Sequence, residues 1–296
     1  MISVRQATRE DPETGIREVA EFVGDPGEAM FGFAHLPKGR AVGGVVICSP
    51  LYAEFIKNYR REVIIGRTLA ARGIAVQRFH YRGYGNSFGR KQDATYDALR
   101  DDAVAAAHHL ATIADTDRLA FIGSRFGALV AASAAARFEG SPLVLWDPVL
   151  DPARYLRDVF RAGRIQSLAG GKAGVGGAAM QQELETHGAV HVLGYTITRT
   201  LFRSAQGRTL EGELGTSPRR VLLLGLGQDP RGHPALSSAV DRWKDAGLQV
   251  DDGSVATREA WWFTSGPSVA DEALPQAIDL TVEWLSTVFQ EMARSR

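Results

Sequence analysis

The spacing of hydrophobic and polar positions changes along the chain. Two early segments, 17–23 and 29–34, alternate polar and apolar residues on either side of the turn Asp25-Pro26-Gly27, which is typical of an antiparallel hairpin. Later apolar runs are continuous and end at turns, as in strands that are buried on both faces of a mostly parallel sheet. These runs cover 42–48, 74–79, 119–122, 143–146 and 221–224.

Segments with helical periodicity lie between and after these strands. The spacing predicts helices over 59–72, 94–114, 126–138, 235–246 and 269–293. Gly73 and Gly247 follow two of them, at the position where glycine commonly ends a helix. Alternating strands and helices favour a doubly wound α/β sheet led by the hairpin.

The stretch 151–218 departs from this alternation. It contains no convincing strand and shows helical pieces at 153–164, 180–186 and 195–204 around a glycine-rich segment, 168–177. An insertion of this length between two strands predicts a helical cap; the alternative is a disordered surface loop. We therefore expect a single domain over 1–296 that carries a cap at about 151–218.

Composition excludes several classes of protein. The 296 residues include 34 basic and 34 acidic side chains and are 45% hydrophobic, so nothing favours nucleic acid, an anionic membrane or global disorder. The chain has no apolar run of about 18 residues and no apolar stretch near its N-terminus, so we predict a cytoplasmic protein without a membrane span. Its single cysteine, Cys48, cannot form an internal disulfide, and we predict neither a metal site nor a cofactor.

The most informative segment joins the strand 119–122 to the helix after it. It reads Gly123-Ser124-Arg125-Phe126-Gly127, a strand–turn–helix setting that resembles the nucleophile elbow Gly-x-Ser-x-Gly. The residue at the place of the serine is Arg125, and Ser124 lies one position earlier. A literal match, Gly85-Asn86-Ser87-Phe88-Gly89, follows a strand but no helix begins at its second glycine, so we interpret Ser87 as a turn residue.

These features resemble the α/β-hydrolase superfamily over nearly the whole chain. The resemblance rests on the elbow at 123–127, the inserted cap and the stretch 79–87 after a strand. Three stretches, 67–73, the elbow with Arg125 and 145–149, further resemble the hydrolase-like proteins associated with exosortase systems, within the serine aminopeptidase-like group. The resemblance implies an α/β-hydrolase fold, whereas function has to be argued from the site itself.

The catalytic triad of that superfamily is incomplete here. A guanidinium stays protonated and cannot attack a carbonyl, so Arg125 cannot replace the serine. The histidine would follow the last strand, near 260–266, but the sequence has no histidine after His233. Asp147 and Asp229 remain candidates for the acid. If a rebuilt site exists, its candidate residues are Ser124, Cys48, His80, His233, Asp229 and Asp147.

Arg125 allows two interpretations. At a helix N-terminus it could hold an anionic ligand, or it could pair with Asp147 or Asp229 and close the cavity.

Cys48 and His80 form a possible nucleophile–base pair, in which the Cys48 thiol attacks and His80 is its base. We favour this pair less, because a buried cysteine more often acts as a small hydrophobic residue. We expect the ligand pocket at the carboxyl ends of the strands, lined by Arg125, Ser124, Leu51, Tyr52, Asp147 and Asp229.

The sequence therefore favours a hydrolase-like protein that has lost hydrolysis. We predict that it binds a small molecule or a peptide, as an accessory protein of a biosynthetic pathway with a partner protein in that pathway. The first alternative is a hydrolase or acyltransferase-type enzyme with a rebuilt site for an acyl, ester or amide substrate. The second is a purely structural partner whose cleft is filled. An open cleft without a nucleophile–base pair distinguishes the binding protein from both.

Overall fold

The chain forms a mostly parallel sheet with helices on both faces. The computed structural model describes residues 6–24, 27–169, 176–215, 217, 219–227, 234–257 and 274–294, with the side chains of 165–169 left out. In this part of the chain, nine strands form one sheet in the order β1-β2-β3-β5-β4-β6-β7-β10-β11. They are β1 Gln6–Glu10, β2 Arg17–Val23, β3 Met30–Leu36, β4 Gly43–Cys48, β5 Ile74–Phe79, β6 Leu119–Ser124, β7 Leu143–Trp146, β10 Arg220–Gly227 and β11 Gln249–Ala256.

The strand directions confirm the predicted sheet. Strands β1, β2 and β3 pair antiparallel, and β3 pairs antiparallel with β5. From β5 through β4, β6, β7 and β10 to β11 every pairing is parallel. The carboxyl ends of six strands therefore meet at one edge, where a doubly wound sheet forms its site.

Two edge strands were not predicted from the sequence. All five residues of β1 are exposed, and β11 exposes most of its residues, including Asp251 and Asp252. Neither strand has the continuous apolar run by which the inner strands were recognised. Polar edge strands are a normal feature of sheets, since charge on an edge discourages pairing with another chain.

The flanking helices agree with the prediction apart from their ends. They are α1 Tyr52–Ala71, α2 Tyr96–Ile113, α3 Phe126–Ala135, α8 Pro234–Asp245 and α9 Pro275–Arg294. One apolar core joins α2, α3 and α8 to one face of the sheet, and a second core joins α1 and α9 to the other face. Because both faces are covered, the inner strands need apolar residues at most positions, which explains their nearly continuous runs; Gln77 and Arg78 of β5 are buried exceptions.

The chain between β7 and β10 contains helices and one hairpin. The helices are α4 Pro152–Ala169, α5 Gly177–His187, α6 Arg199–Ser204 and α7 Leu210–Leu214, and the strands are β8 Ala189–Val192 and β9 Tyr195–Thr198. Residues 170–175 of the glycine-rich segment lie outside the described part of the chain.

The expectation that 151–218 contains no strand is wrong, and so is the predicted helix over 195–204. Strands β8 and β9 pair antiparallel around Leu193-Gly194, and both turn residues have a positive φ, 54° and 82°. Two successive positive φ angles are typical of a two-residue hairpin turn. Helix α6 begins only at Arg199, after Thr198, whose hydroxyl caps it by accepting from the amide of Leu201.

No helix in the described ranges combines the length and the apolar character that crossing a bilayer requires.

Candidate functional site

The turn between β6 and α3 has the tight geometry expected of an elbow. Arg125 lies there with φ 54° and ψ −122°, a region that residues with a side chain rarely adopt. Its amide donates to the carbonyl of Trp146 (3.0 Å), and its own carbonyl accepts from the amides of Ala128 (3.1 Å) and Val149 (3.2 Å). These three bonds hold the strained backbone in place.

Two glycines allow the elbow to pack this closely. A Cβ on Gly127 would lie 2.1 Å from the carbonyl oxygen of Cys48, at the end of β4. A Cβ on Gly123 would lie 2.5 Å from the carbonyl oxygen of Gly127. Both contacts are with backbone atoms, which cannot turn aside as a side chain can, so each position requires glycine.

The Arg125 side chain lies between two carboxyl groups. Its Nη1 donates to Oδ2 and to the backbone carbonyl of Asp147, both at 3.0 Å. Its Nε lies 3.6 Å from Oε1 of Glu54. The side chains of Arg125 and Asp147 are only 13% and 17% exposed, so water screens this pair less than it would a surface pair.

Glu54 is the third charged member of this cluster. It belongs to the first turn of α1, and its residue is only 4% exposed. Burial raises the pKa of the Glu54 carboxyl to about 7, although the Arg125 guanidinium and the Tyr155 hydroxyl lower it. Oε2 of Glu54 has no hydrogen-bond partner among the described residues. A carboxyl of this kind changes its protonation state near neutral pH.

A cavity of about 350 Å³ opens beside the cluster. Its polar lining includes Glu54, Arg125 and Asp147. Its apolar side comes mainly from the chain between β7 and β10 and from the start of α8. Those apolar residues are Val149, Leu150, Val159, Ala162, Val192, Leu193, Ala235 and Leu236. The volume lies at the lower end of the range for small-molecule sites, and the mixture of an apolar wall with a few polar groups is typical of them.

The cavity brings together some of the residues predicted from the sequence. Arg125, Tyr52 and Asp147 line it. Leu51 and Ser124 do not: Leu51 is 1% exposed, and Ser124 is 7% exposed at the end of β6. Asp229 lies outside the described part of the chain.

The candidate nucleophiles are buried and do not line the cavity. Ser124 occupies the last position of β6, paired with Trp146 of β7. Cys48 is fully buried in the core on one face of the sheet, and burial raises the pKa of its thiol far above the ordinary value. A thiol with a raised pKa carries little thiolate, the reactive form. Neither residue lines the cavity.

The candidate base that the structure describes, His80, does not line the cavity either. His80 is 9% exposed and packs against the rings of Phe31, Phe55 and Tyr59. Its Nδ1 accepts from the amide of Asn86 (3.2 Å). Burial and the Arg78 charge lower the pKa of His80 to about 4, so its imidazole is a weak base. His233, like the stretch 260–266, lies outside the described residues.

The interpretation of Ser87 as a turn residue is confirmed. It lies in the loop after β5, where its hydroxyl donates to the carbonyl of His80 (2.6 Å) and accepts from the amide of Phe31 (2.8 Å). Ser87 therefore joins two backbone segments.

Sequence reasoning missed two residues of the site, Glu54 and Tyr155. Glu54 was overlooked because the first helix was predicted to begin at residue 59, whereas α1 begins at Tyr52. The Pro50-Leu51 step before it was a usable signal, since a proline commonly precedes or opens a helix. Tyr155 was expected within a helix, but nothing in its spacing indicated that it faces a carboxyl at the elbow.

Comparison with known proteins finds likeness in structure only, to hydrolases among others. No protein-family model matches the chain, and no curated protein matches it in sequence. The structure of Est1E from Butyrivibrio proteoclasticus with ferulic acid bound is 16% identical with a TM-score of 0.63, over 90% of this chain and 98% of that chain. A lipase in its open form is 15% identical with a TM-score of 0.58, over 93% and 99%.

An alpha-beta serine hydrolase homologue from Coxiella burnetii is 15% identical with a TM-score of 0.53, over 90% of this chain and 96% of that one. At these identities the likeness establishes the fold. The chain therefore has the α/β-hydrolase fold that its sequence resembles.

Proposed function

We propose that this chain, an α/β-hydrolase fold with arginine at the elbow, binds a small molecule or a peptide without hydrolysing it. The observation that carries the proposal is Arg125, which lies in the strained elbow between two carboxyl groups and lines an open cavity. We also propose that the chain is related to the exosortase-associated proteins and has an accessory role in a biosynthetic pathway.

The chemistry at the elbow supports the loss of hydrolysis. A hydrolase of this fold needs a nucleophile that loses a proton to a nearby base. The Arg125 guanidinium stays protonated, and Ser124 and Cys48 are buried and do not line the cavity. The sequence has no histidine after His233.

The retained cavity supports binding. A structural partner with a filled cleft has no need of an apolar-walled space of about 350 Å³ beside the elbow. The backbone strain at Arg125 also supports a binding site, because strained conformations cluster at functional sites, where the surrounding structure holds them.

Covalent labelling tests this proposal. The purified protein is incubated with an alkyl fluorophosphonate, which reacts with activated serines, and its intact mass is measured beside that of an active serine hydrolase. We expect the mass of this chain to stay unchanged while the control gains one adduct. An adduct that the Ser124→Ala variant loses would contradict the proposal.

Glu54 supports a second candidate function, an enzyme with a rebuilt site for an acyl, ester or amide substrate. A buried carboxyl with a pKa near neutrality is suited to general acid–base catalysis, here on a water molecule. For this candidate, the parent turns over an ester or amide and Glu54→Gln abolishes the turnover. Glu62→Gln is the matched control, because burial raises the Glu62 pKa to about 7 as well, yet Glu62 does not line the cavity.

A further inference from the structure

The described lining of the cavity has more acidic than basic groups. Four carboxyl groups and two guanidinium groups contribute to it. The basic residues are Arg125 and Arg154. The acidic residues are Glu54, Asp147, Asp151 and Asp158.

Both guanidinium groups already have carboxylate neighbours. Arg125 donates to Asp147 at 3.0 Å, and Nε of Arg154 lies 4.0 Å from Oδ2 of Asp158. An anionic ligand would have to displace Asp147 from Arg125, and it would be repelled by the carboxylates nearby. The lining therefore disfavours an anion.

The backbone amides at the start of α3 do not offset this repulsion of an anionic ligand. A helix N-terminus attracts anions through its unpaired N–H groups, but Phe126 and Gly127 are buried and neither lines the cavity. Gly127 packs directly on the carbonyl of Cys48. The start of α3 therefore lies against the end of β4, and its first two residues do not contribute to the described lining of the cavity.

Acceptors and aromatic rings, by contrast, face the same space. Glu54 lines the cavity, is more than nine-tenths buried and has one carboxylate oxygen with no hydrogen-bond partner among the described residues. Three tyrosines, Tyr52, Tyr155 and Tyr195, also line it, and the rings of Tyr52 and Tyr195 lie 6.1 Å apart. Carboxylates combined with aromatic rings form the usual environment for an ammonium group.

From this arrangement we infer that the cavity binds a primary amine with an apolar chain, its ammonium group at Asp147 and Glu54 and its chain against the apolar wall. The inference rests on the proposed binding function and specifies the ligand class. An ammonium group supplies three donors and one positive charge, which match the unpartnered oxygen and the surplus of carboxylates. The wall formed by Val159, Ala162 and Val192 removes the chain from water.

Calorimetric titration with three probes of equal chain length tests the inference. n-Hexylamine, n-hexanol and n-hexanoate are titrated into the full-length protein at pH 8, where Glu54 is mostly ionised and the amine is protonated. We expect hexylamine to bind about tenfold more tightly than hexanol, because bonds to charged groups are stronger than neutral ones. Hexanoate should bind more weakly than either.

An Asp147→Asn variant should remove the preference for hexylamine. It removes a carboxylate from the ammonium site and from Arg125, so hexylamine should lose about tenfold in affinity while hexanoate gains. Hexanol binding reports that the cavity is still folded. If Asp147→Asn does not fold, Tyr195→Leu on β9 is the second variant, and it should weaken hexylamine more than hexanol because it removes a ring from the ammonium.

The outcomes separate this inference from the proposed function. Hexanol or hexanoate binding as tightly as hexylamine overturns the amine inference and leaves a binding protein. A parent that binds none of the three probes overturns the inference, and the labelling experiment then decides separately whether hydrolysis was lost. Preference for hexylamine that Asp147→Asn removes supports the inference.

Discussion

Arg125 combines a strained backbone with a largely buried charge, and both features are costly unless the surroundings compensate. The backbone is held by bonds to Trp146, Ala128 and Val149, and the charge by Asp147 and Glu54. In the usual elbow the same backbone presents a nucleophile. Here the turn places the Arg125 guanidinium between two carboxyl groups.

Removing the cation should destabilise the protein. Arg125→Met leaves Asp147 and Glu54 facing each other without the guanidinium, and we expect the free energy of unfolding to fall by about 3 kcal/mol. Asp147→Asn in the same background should recover part of the loss, which shows as a coupling of about 1–3 kcal/mol in a double-mutant cycle. Urea unfolding of the four proteins measures it. Strictly additive effects would contradict the ion pair.

The raised pKa values of Glu54 and Glu62 make stability depend on pH. Each carboxyl has a pKa of about 7 in the folded chain against an ordinary 4.5, so the folded state binds more protons between these values. The contribution of each carboxyl to the free energy of unfolding should therefore be greatest below about pH 4.5. It should decrease as pH rises to about 7, by roughly 3 kcal/mol per group.

Glutamine variants separate the two groups. Glu54→Gln and Glu62→Gln each replace an ionisable group by a neutral one of the same shape, so each should flatten part of the decrease in urea stability between pH 5 and 8. In hexylamine titrations, Glu54→Gln should also lower affinity at pH 8, whereas Glu62→Gln leaves it unchanged. Identical pH profiles for the parent and Glu54→Gln would contradict the raised pKa of Glu54.

Helix α3 is positioned by its contact with the end of β4. Gly127→Ala would place a Cβ 2.1 Å from the carbonyl oxygen of Cys48, and the helix would have to move. We expect a loss of about 3 kcal/mol in unfolding free energy. Gly177→Ala at the start of α5 is the matched control, since a Cβ there meets nothing within 4 Å. Equal stability of the two variants would show that α3 does not pack as described.

Helix α4 contributes the apolar wall of the cavity. Ala162→Phe places an aromatic ring in the space that the ligand's chain would occupy, and we expect it to abolish hexanol and hexylamine binding in calorimetry. Ala179→Phe, on an exposed position of α5, is the control and should bind as the parent does. Unchanged affinity in Ala162→Phe would place the ligand elsewhere.

The elements differ in how well the sequence predicts them. Inner strands and flanking helices were predictable because both faces of the sheet are covered, which imposes long apolar runs and helical spacing. The polar strands β1 and β11 and the hairpin of β8 and β9 were missed because each has few buried residues. Short strands of this kind carry too weak a pattern to distinguish from loops.

The site was predictable where chain order determines it. The elbow places Arg125 and the end of β7 places Asp147, so their meeting at one sheet edge followed from the alternation of strands and helices. Glu54 and Tyr155 approach Arg125 from α1 and α4, and the direction of a helix toward the sheet depends on packing that no local pattern records. Ser124 was expected to line the pocket; the structure places it as the last residue of β6, buried within the sheet.

In the molecule as a whole, the fold and the groups at the site carry different information. The sheet and its flanking helices have the α/β-hydrolase fold, as the likeness to the structures of Est1E and a lipase indicates. The site holds a buried ion pair beside an acidic, aromatic cavity. Because fold does not imply function, the proposed binding function has to rest on the site.

A turnover assay of the purified protein is the most direct test of the proposal that this chain binds its ligand without hydrolysis. The parent, Ser124→Ala and Cys48→Ala are assayed against p-nitrophenyl esters and aminoacyl amides of varied chain length. We expect the parent to hydrolyse none of them above the buffer rate, because Arg125 occupies the position of the nucleophile. Hydrolysis by the parent that Ser124→Ala or Cys48→Ala abolishes would contradict the account and identify the nucleophile.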